Sequence, residues 1–144
     1  RSAADRAAIR AALADGTLDA IATDHAPHSI LEKELEFDAA ANGIIGLETS
    51  LPLGLALVRE GLLDAGQLVA LMSTNPARIL GLPGGSLGLG AVADITLIDP
   101  QQEFVYAADQ ILSKSRNTPF LGWKMQGRAV LTMVGGSIRH NLQG

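Results

Sequence analysis

One short stretch constrains this chain more than any other: Ala20-Ile21-Ala22-Thr23-Asp24-His25-Ala26-Pro27-His28. An apolar run ends abruptly in an acid, two histidines and a proline. Short apolar runs bounded by turn residues read as buried strands of a parallel sheet. Pro27 has no N–H to give to a ladder, so the strand is expected to end near Asp24. Asp24 then stands at the carboxyl end of the strand, with His25 and His28 on the loop behind it. In open α/β sheets and (β/α)₈ barrels, that end is where ligands bind and chemistry occurs. A buried, salt-bridged aspartate beside two structural histidines would satisfy the same spacing. The residues by themselves leave both readings open.

The flanking sequence supplies the helices such a strand needs. Ser2 to Ala14 reads as a helix, with Ser2 as N-cap, Asp5 three residues on, and Ala8, Ile9, Ala12 and Leu13 on one face. Asp15-Gly16 ends it, Gly16 suiting the left-handed position after the last turn. Helix, glycine turn and strand in that order make the αβ unit of a parallel barrel or sheet. Ser29 to Asn42 is polar and acidic, and is expected to be a solvated loop or a lid. Asn42-Gly43 is a turn signal. Gly43 and Gly46 either allow backbone to approach a ligand or simply serve the turn. Helix resumes over about Leu47 to Arg59, with Pro52 near its start and Gly61 closing it. Asp64 caps a second helix to about Met72. Ser73-Thr74-Asn75-Pro76 starts a third, which ends at Gly81.

After Ala93 the period changes. Asp94 to Asp99 reads as a strand, Phe104 to Tyr106 as another, and Arg128 to His140 as a hairpin turning at Gly135-Gly136. A division near residue 83 follows, with one unit over 1–83 and another over 84–144. The glycine-rich stretch Gly84 to Gly90 lacks a preceding strand, a following helix and the Gly-Lys-Ser/Thr ending of a phosphate loop. It reads as turns between layers.

Composition narrows the function. The chain is 47% hydrophobic and 18% charged, which suits a packed core rather than disorder. A net charge of −4 without a basic block argues against nucleic acid and against an anionic membrane surface. The absence of cysteine removes disulfides, thiolate metal ligands and a cysteine nucleophile. The longest apolar run, Leu51 to Val58, is too short to span a membrane and holds Pro52 and Gly54. The chain starts at Arg1 rather than Met, shows no signal peptide and opens directly in a helix, so it is expected to be a piece of a longer protein or a processed product.

Several stretches together resemble the cyclic amidohydrolases, and within them the dihydroorotases of the long bacterial type. They are Asp15 to His28, Gly43-Ile44-Ile45-Gly46-Leu47-Glu48-Thr49, Asn75-Pro76-Ala77-Arg78-Ile79-Leu80, Gly90 to Ile95, and Ser113 to Phe120. The Thr-Asp-His-Ala-Pro-His block is the specific part. The Asn-Pro-Ala-Arg and Ala-Asp stretches belong to the wider superfamily.

The resemblance implies an α/β fold: the last part of a (β/α)₈ TIM barrel, then the returning strands of a small β-sandwich. It implies a cytoplasmic enzyme of pyrimidine biosynthesis that hydrolyses dihydroorotate reversibly to N-carbamoyl-aspartate. One or two Zn²⁺ ions serve as cofactor, Asp24 as metal ligand and proton shuttle, and His28 as a contact for the substrate carboxylate. Asn42 and Gly43 match a backbone segment lying against the substrate ring. Partners implied are the small-molecule substrate and either aspartate transcarbamoylase or a second copy. The family's His-x-His metal pair is absent from these 144 residues. Two rivals stand beside this reading. One is a hydantoinase or allantoinase, which would differ at His28. The other is a non-catalytic dihydroorotase-like scaffold of aspartate transcarbamoylase.

Overall fold

A computed structural model of the chain describes residues 2–142. Helices fill the first part and a three-stranded antiparallel sheet the last, so the chain is α/β as expected. Helix α1, Ala3–Ala14, starts where the sequence placed it. Ser2 Oγ accepts the Asp5 N–H, and the Asp5 carboxylate accepts the Ser2 N–H. That reciprocal box satisfies two of the donors a helix start leaves without partners. Gly16, at φ +81°, carries the chain out of the helix.

The expected strand leading to Asp24 is not a strand among the described residues. A parallel strand exists only through neighbours that accept and donate its ladder bonds. No described segment forms a strand ladder with this one, and it binds to helices instead. The Ile21 N–H donates to the Leu71 carbonyl at 2.9 Å. The Asn75 side-chain amide donates to the Asp19 carbonyl at 2.9 Å. The loop that follows is also more ordered than its composition suggested. Ser29 and Glu32 form a second capping box that starts a short helix, α2, Ile30–Lys33. The Lys33 ammonium then closes the loop on the Ala41 and Gly43 carbonyls, at 2.6 and 3.1 Å.

Helix α3 spans Leu47–Arg59 and α4 spans Ala65–Val69, the latter capped by Asp64 with Gln67. Helix α5, Asn75–Leu80, was expected to stand apart. It instead continues α4 through a π-helical turn, Ala70–Thr74. Pro76 is the physical reason, since it has no N–H for the Met72 carbonyl and its ring crowds that position. The turn widens, and the Asn75 N–H reaches back to the Ala70 carbonyl. This leaves the Leu71 carbonyl free to take the Ile21 N–H.

Strands β1 (Ile95–Val105), β2 (Lys124–Val134) and β3 (Ser137–Asn141) lie in that order. The two short strands expected over 94–106 are one, interrupted by an irregularity between the pairs Asp99↔Arg128 and Glu103↔Gln126. Pro100 sits in it, where a missing N–H costs no ladder bond. The Asp99 carboxylate accepts the N–H groups of Gln101 and Gln102 there, at 2.8 and 3.2 Å. Gly135 and Gly136, both at positive φ, turn β2 into β3.

Two apolar clusters hold these parts. Leu55, Leu63, Leu68 and Leu71 pack the helices together, with Ile21 against them. Ile45, Tyr106, Ile111 and Met125 join the sheet to the start of α3. Each fully buried side chain of this kind is worth about 1.5–3 kcal/mol. Within the second cluster the Tyr106 hydroxyl donates to the Glu48 carboxylate at 2.9 Å. Burial, and then the bond to Glu48, push the Tyr106 phenol up to about 12. The folded chain therefore keeps a proton that the unfolded chain loses near pH 10. Stability from this group is complete below about pH 10 and is lost as pH rises toward 12. Unfolding in urea across that window should show Tyr106→Phe with a flatter loss than the wild type. Equal slopes would mean that Tyr106 is not linked to folding in this way.

Candidate functional site

Three segments meet at one rim: the block around Asp24, the turn at Asn42-Gly43, and the stretch Ser113 to Phe120. Asp24 itself adopts a positive φ of +44°. Asp and Asn are the non-glycine residues that tolerate this region best. Its carboxylate is exposed and meets no donor or cation among the described residues. It makes no bond to His28, Asn42 or Gly43. Its place follows from the backbone on either side, where Ile21 bonds to Leu71 and the Ala26 N–H donates to the Ile44 carbonyl at 2.9 Å.

His25 serves the backbone. Its Nδ1 accepts the N–H groups of Gly46 and Leu47, at 3.1 and 3.4 Å. Gly46 is the N-cap of α3 and has no side chain to do this. An imidazole 21 residues before Gly46 thus caps the helix, and the accepting Nδ1 leaves Nε2 to carry the proton. Gly46 also sits close to the other segment, since a Cβ there would crowd the Thr23 carbonyl oxygen at 3.1 Å.

The structure brings His28, Asn42 and Gly43 together. The His28 Nε2 lies 2.9 Å from the Asn42 carbonyl, and Nδ1 lies 3.7 Å from the Glu32 carboxylate. Glu32 is held below its ordinary carboxylate range, chiefly by the Ser29 hydroxyl and N–H and less by His28. Gly43 has φ +104°, and a Cβ on it would sit 2.6 Å from the Ala26 Cβ. The two rim segments therefore touch at a spot only glycine can occupy.

Two residues at the rim carry more than their motifs suggested. Glu48 accepts from Tyr106 and also from the N–H groups of Leu112 and Ser113, at 2.9 and 3.2 Å. It anchors the later segment to α3. Asn117 then reaches the rim and bonds both the block and the turn. Neither partnership has a sequence signal, since the bonded residues lie up to 91 positions apart. Away from the rim, a cleft of about 200 Å³ lies between α3 and the sheet, lined by Glu48, Tyr106, Arg128 and His140 among others. It contains none of the candidate residues. His140 is exposed on β3, opposite Thr132.

The family model described as the Amidohydrolase family matches residues 1–139. The chain belongs to the amidohydrolase family. Among curated relatives of this amidohydrolase, a dihydroorotase from Geobacter sp. (strain M21) is 64% identical over 138 residues, covering 96% of this chain and 32% of that protein. A dihydroorotase from Citrifermentans bemidjiense is 62% identical, with the same coverage of 96% and 32%. Among solved structures, an L-hydantoinase (dihydropyrimidinase) from Arthrobacter aurescens superposes with a TM-score of 0.91 at 33% identity. That match covers 100% of this chain and 33% of the other. The chain thus spans about a third of the length of the curated relatives it matches.

Membership of the family implies dependence on a metal in general. The residues at this rim do not make a metal site by themselves. Among the described residues no three His, Cys, Asp or Glu side chains are grouped to hold an ion. A catalytic zinc takes three protein ligands, and Asp24 offers one carboxylate. His25 is committed to α3, and His28 faces Asn42 and Glu32. No helix among the described residues is long and apolar enough to cross a membrane.

Proposed function

We propose that this chain is the C-terminal part of a cytoplasmic dihydroorotase, an enzyme of de novo pyrimidine biosynthesis. It would hydrolyse dihydroorotate reversibly to N-carbamoyl-L-aspartate. The observation that carries the reading is the 64% identity to a dihydroorotase, against 33% to the hydantoinase of matching shape. Residues 1–83 would complete the (β/α)₈ barrel, and 84–144 would supply returning strands of a β-sandwich. The metal would be zinc, one or two ions. Asp24 would give one oxygen ligand, and the others would come from residues outside these 144. Aspartate transcarbamoylase or a second copy is the macromolecular partner this reading carries.

Hydrolysis adds water across the ring C–N bond: oxygen goes to the carbonyl carbon and a proton to the nitrogen. A carboxylate in reach of both positions can take the proton from the attacking water and deliver it to the leaving nitrogen. What supports that role for Asp24 is its match to the family-like block and its exposed carboxylate, which has no bonded partner among the described residues. His28 would meet the substrate carboxylate. A protonated ring can donate to the Asn42 carbonyl from Nε2 and to an anion from Nδ1, the side where Glu32 now stands. Asn42 and Gly43 would lie against the ring through their backbone.

The test is substrate choice in the full-length protein. A charge-assisted hydrogen bond to the carboxylate is worth roughly 1.5–3 kcal/mol. His28→Ala should therefore lower kcat/KM for dihydroorotate by about 10–150-fold, and for an uncharged hydantoin much less. Metal content should be unchanged. Equal losses on both substrates would mean that His28 supports the site rather than recognising the anion. A wild type preferring the hydantoin would favour the hydantoinase reading outright.

A further inference from the structure

We propose that Asn117 is a positioning residue, which sets the spacing between the His28 loop and the Asn42-Gly43 turn and so controls substrate affinity. The inference rests on the dihydroorotase reading for its kinetic consequence, but not for its geometry. The Asn117 side chain uses both ends. Its amide Nδ2 donates to the Ala26 carbonyl at 2.8 Å and to the Gly43 carbonyl at 3.3 Å. Its Oδ1 accepts the His28 N–H at 3.3 Å. Its own carbonyl accepts the Ile45 N–H at 3.1 Å. One residue thus binds both segments that carry the candidate substrate contacts.

Asn117 is held to this task from behind. Glu48 on α3 bonds the Leu112 and Ser113 N–H groups. The Arg116 guanidinium curls back onto the Ser113 and Ser115 carbonyls. The Thr118 N–H donates to the Arg116 carbonyl at 2.8 Å. The segment is therefore a tight, self-bonded loop, with one amide projecting to the rim. An amide is the side chain this position needs, because it offers two donors and an acceptor within one planar group. Aspartate is nearly the same size but would set a carboxylate against two carbonyl oxygens. Alanine would leave the Ala26 and Gly43 carbonyls and the His28 N–H without partners.

Asn117 bonds Ala26, His28 and Gly43 and makes no bond to Asp24, the residue proposed to carry the proton. Its loss should therefore act on binding more than on chemistry. In the full-length enzyme, Asn117→Ala should raise KM for dihydroorotate by about 10-fold or more, the effect of losing two or three ordinary hydrogen bonds. The same variant should leave kcat within about 3-fold. Asn117→Asp should behave the same way despite its matching size. Backbone amide exchange gives a second readout that needs no activity: the His28 N–H should lose protection in Asn117→Ala. An unchanged KM, a kcat loss as large as the KM rise, or unchanged His28 exchange would each overturn the proposal. If Asn117→Ala does not fold, Asn117→Asp decides by the same measurements, and failure of both to fold would make Asn117 a general stability residue and overturn the proposal. A wild type without dihydroorotase activity would sink the proposed function alone, and the exchange experiment would still judge the clamp.

Discussion

Asp24→Asn in the full-length enzyme is expected to lose about 10²–10⁴-fold in kcat, the range that general acid–base catalysis supplies. Asparagine is the informative replacement here for a reason visible in the backbone. Asp24 sits at φ +44°, a region that Asn tolerates as well as Asp, whereas alanine would add strain. The carboxylate also holds no structural hydrogen bond among the described residues, so the amide breaks none. What changes is chemistry. The amide cannot accept a proton at the pH of the assay, and it is a poorer ligand for a hard cation. The melting temperature should stay near that of the wild type while turnover collapses. A variant that kept most of its rate with normal metal content would remove Asp24 from the proton-transfer role. A variant that lost its metal would show the ligand role first, so metal content has to be measured beside the rate.

The sequence was most legible where one residue acts on its near neighbours. Ser2 with Asp5 and Asp64 capped the helices they were expected to cap, and Gly16 left its helix as expected. These signals depend on bonds three residues apart, and nothing distant competes with them. It was least legible where the deciding partner is remote or missing. The apolar run before Asp24 has the pattern of a buried strand, but a strand is defined by its neighbours. Here Ile21 finds a helix carbonyl instead. Pro76 was read as a helix start. Its missing N–H was accommodated by a π turn within a longer helix, and that turn is what frees the Leu71 carbonyl.

The candidate site divides in the same way. His28, Asn42 and Gly43 could be named from the family-like block and the Asn-Gly turn, and the fold groups them. The roles assigned to them remain the proposal made above. The residues that join them could not be named. Asn117 stands in a family-like stretch, which by itself gives its side chain no role. What no local pattern encodes is that its amide ends at the Ala26 and Gly43 carbonyls. His25 shows the converse. It stands beside Asp24 in the same block, yet its Nδ1 is spent on the N-terminus of α3.

Gly127→Ala is expected to be among the most destabilising single substitutions in the sheet, at about 2–6 kcal/mol. Two independent terms contribute. Gly127 has φ +97°, and an L side chain held in such a region costs about 1–3 kcal/mol. A Cβ there would also run into the Leu55 side chain, overlapping Cδ1 and pressing Cγ and Cβ at 3.4 and 3.5 Å. Leu55 is itself buried, so it has little room to withdraw, and overpacking of this kind costs about 1–3 kcal/mol. The position explains why the fold places a glycine in mid-strand. Gly127 lies between Gln126 and Arg128, opposite the Pro100 irregularity, where the register of β1 and β2 shifts. α3 packs Leu55 against this glycine, and Arg59 fastens the contact by donating to the Gln126 carbonyl at 3.0 Å. A double-mutant cycle separates the terms. Leu55→Ala alone should cost about 2–5 kcal/mol as a core truncation. On that background Gly127→Ala should cost only its backbone share, about 1–3 kcal/mol, because the clash is gone. Strictly additive effects in equilibrium unfolding would mean that Leu55 does not crowd the strand. The glycine would then be needed for its backbone conformation alone.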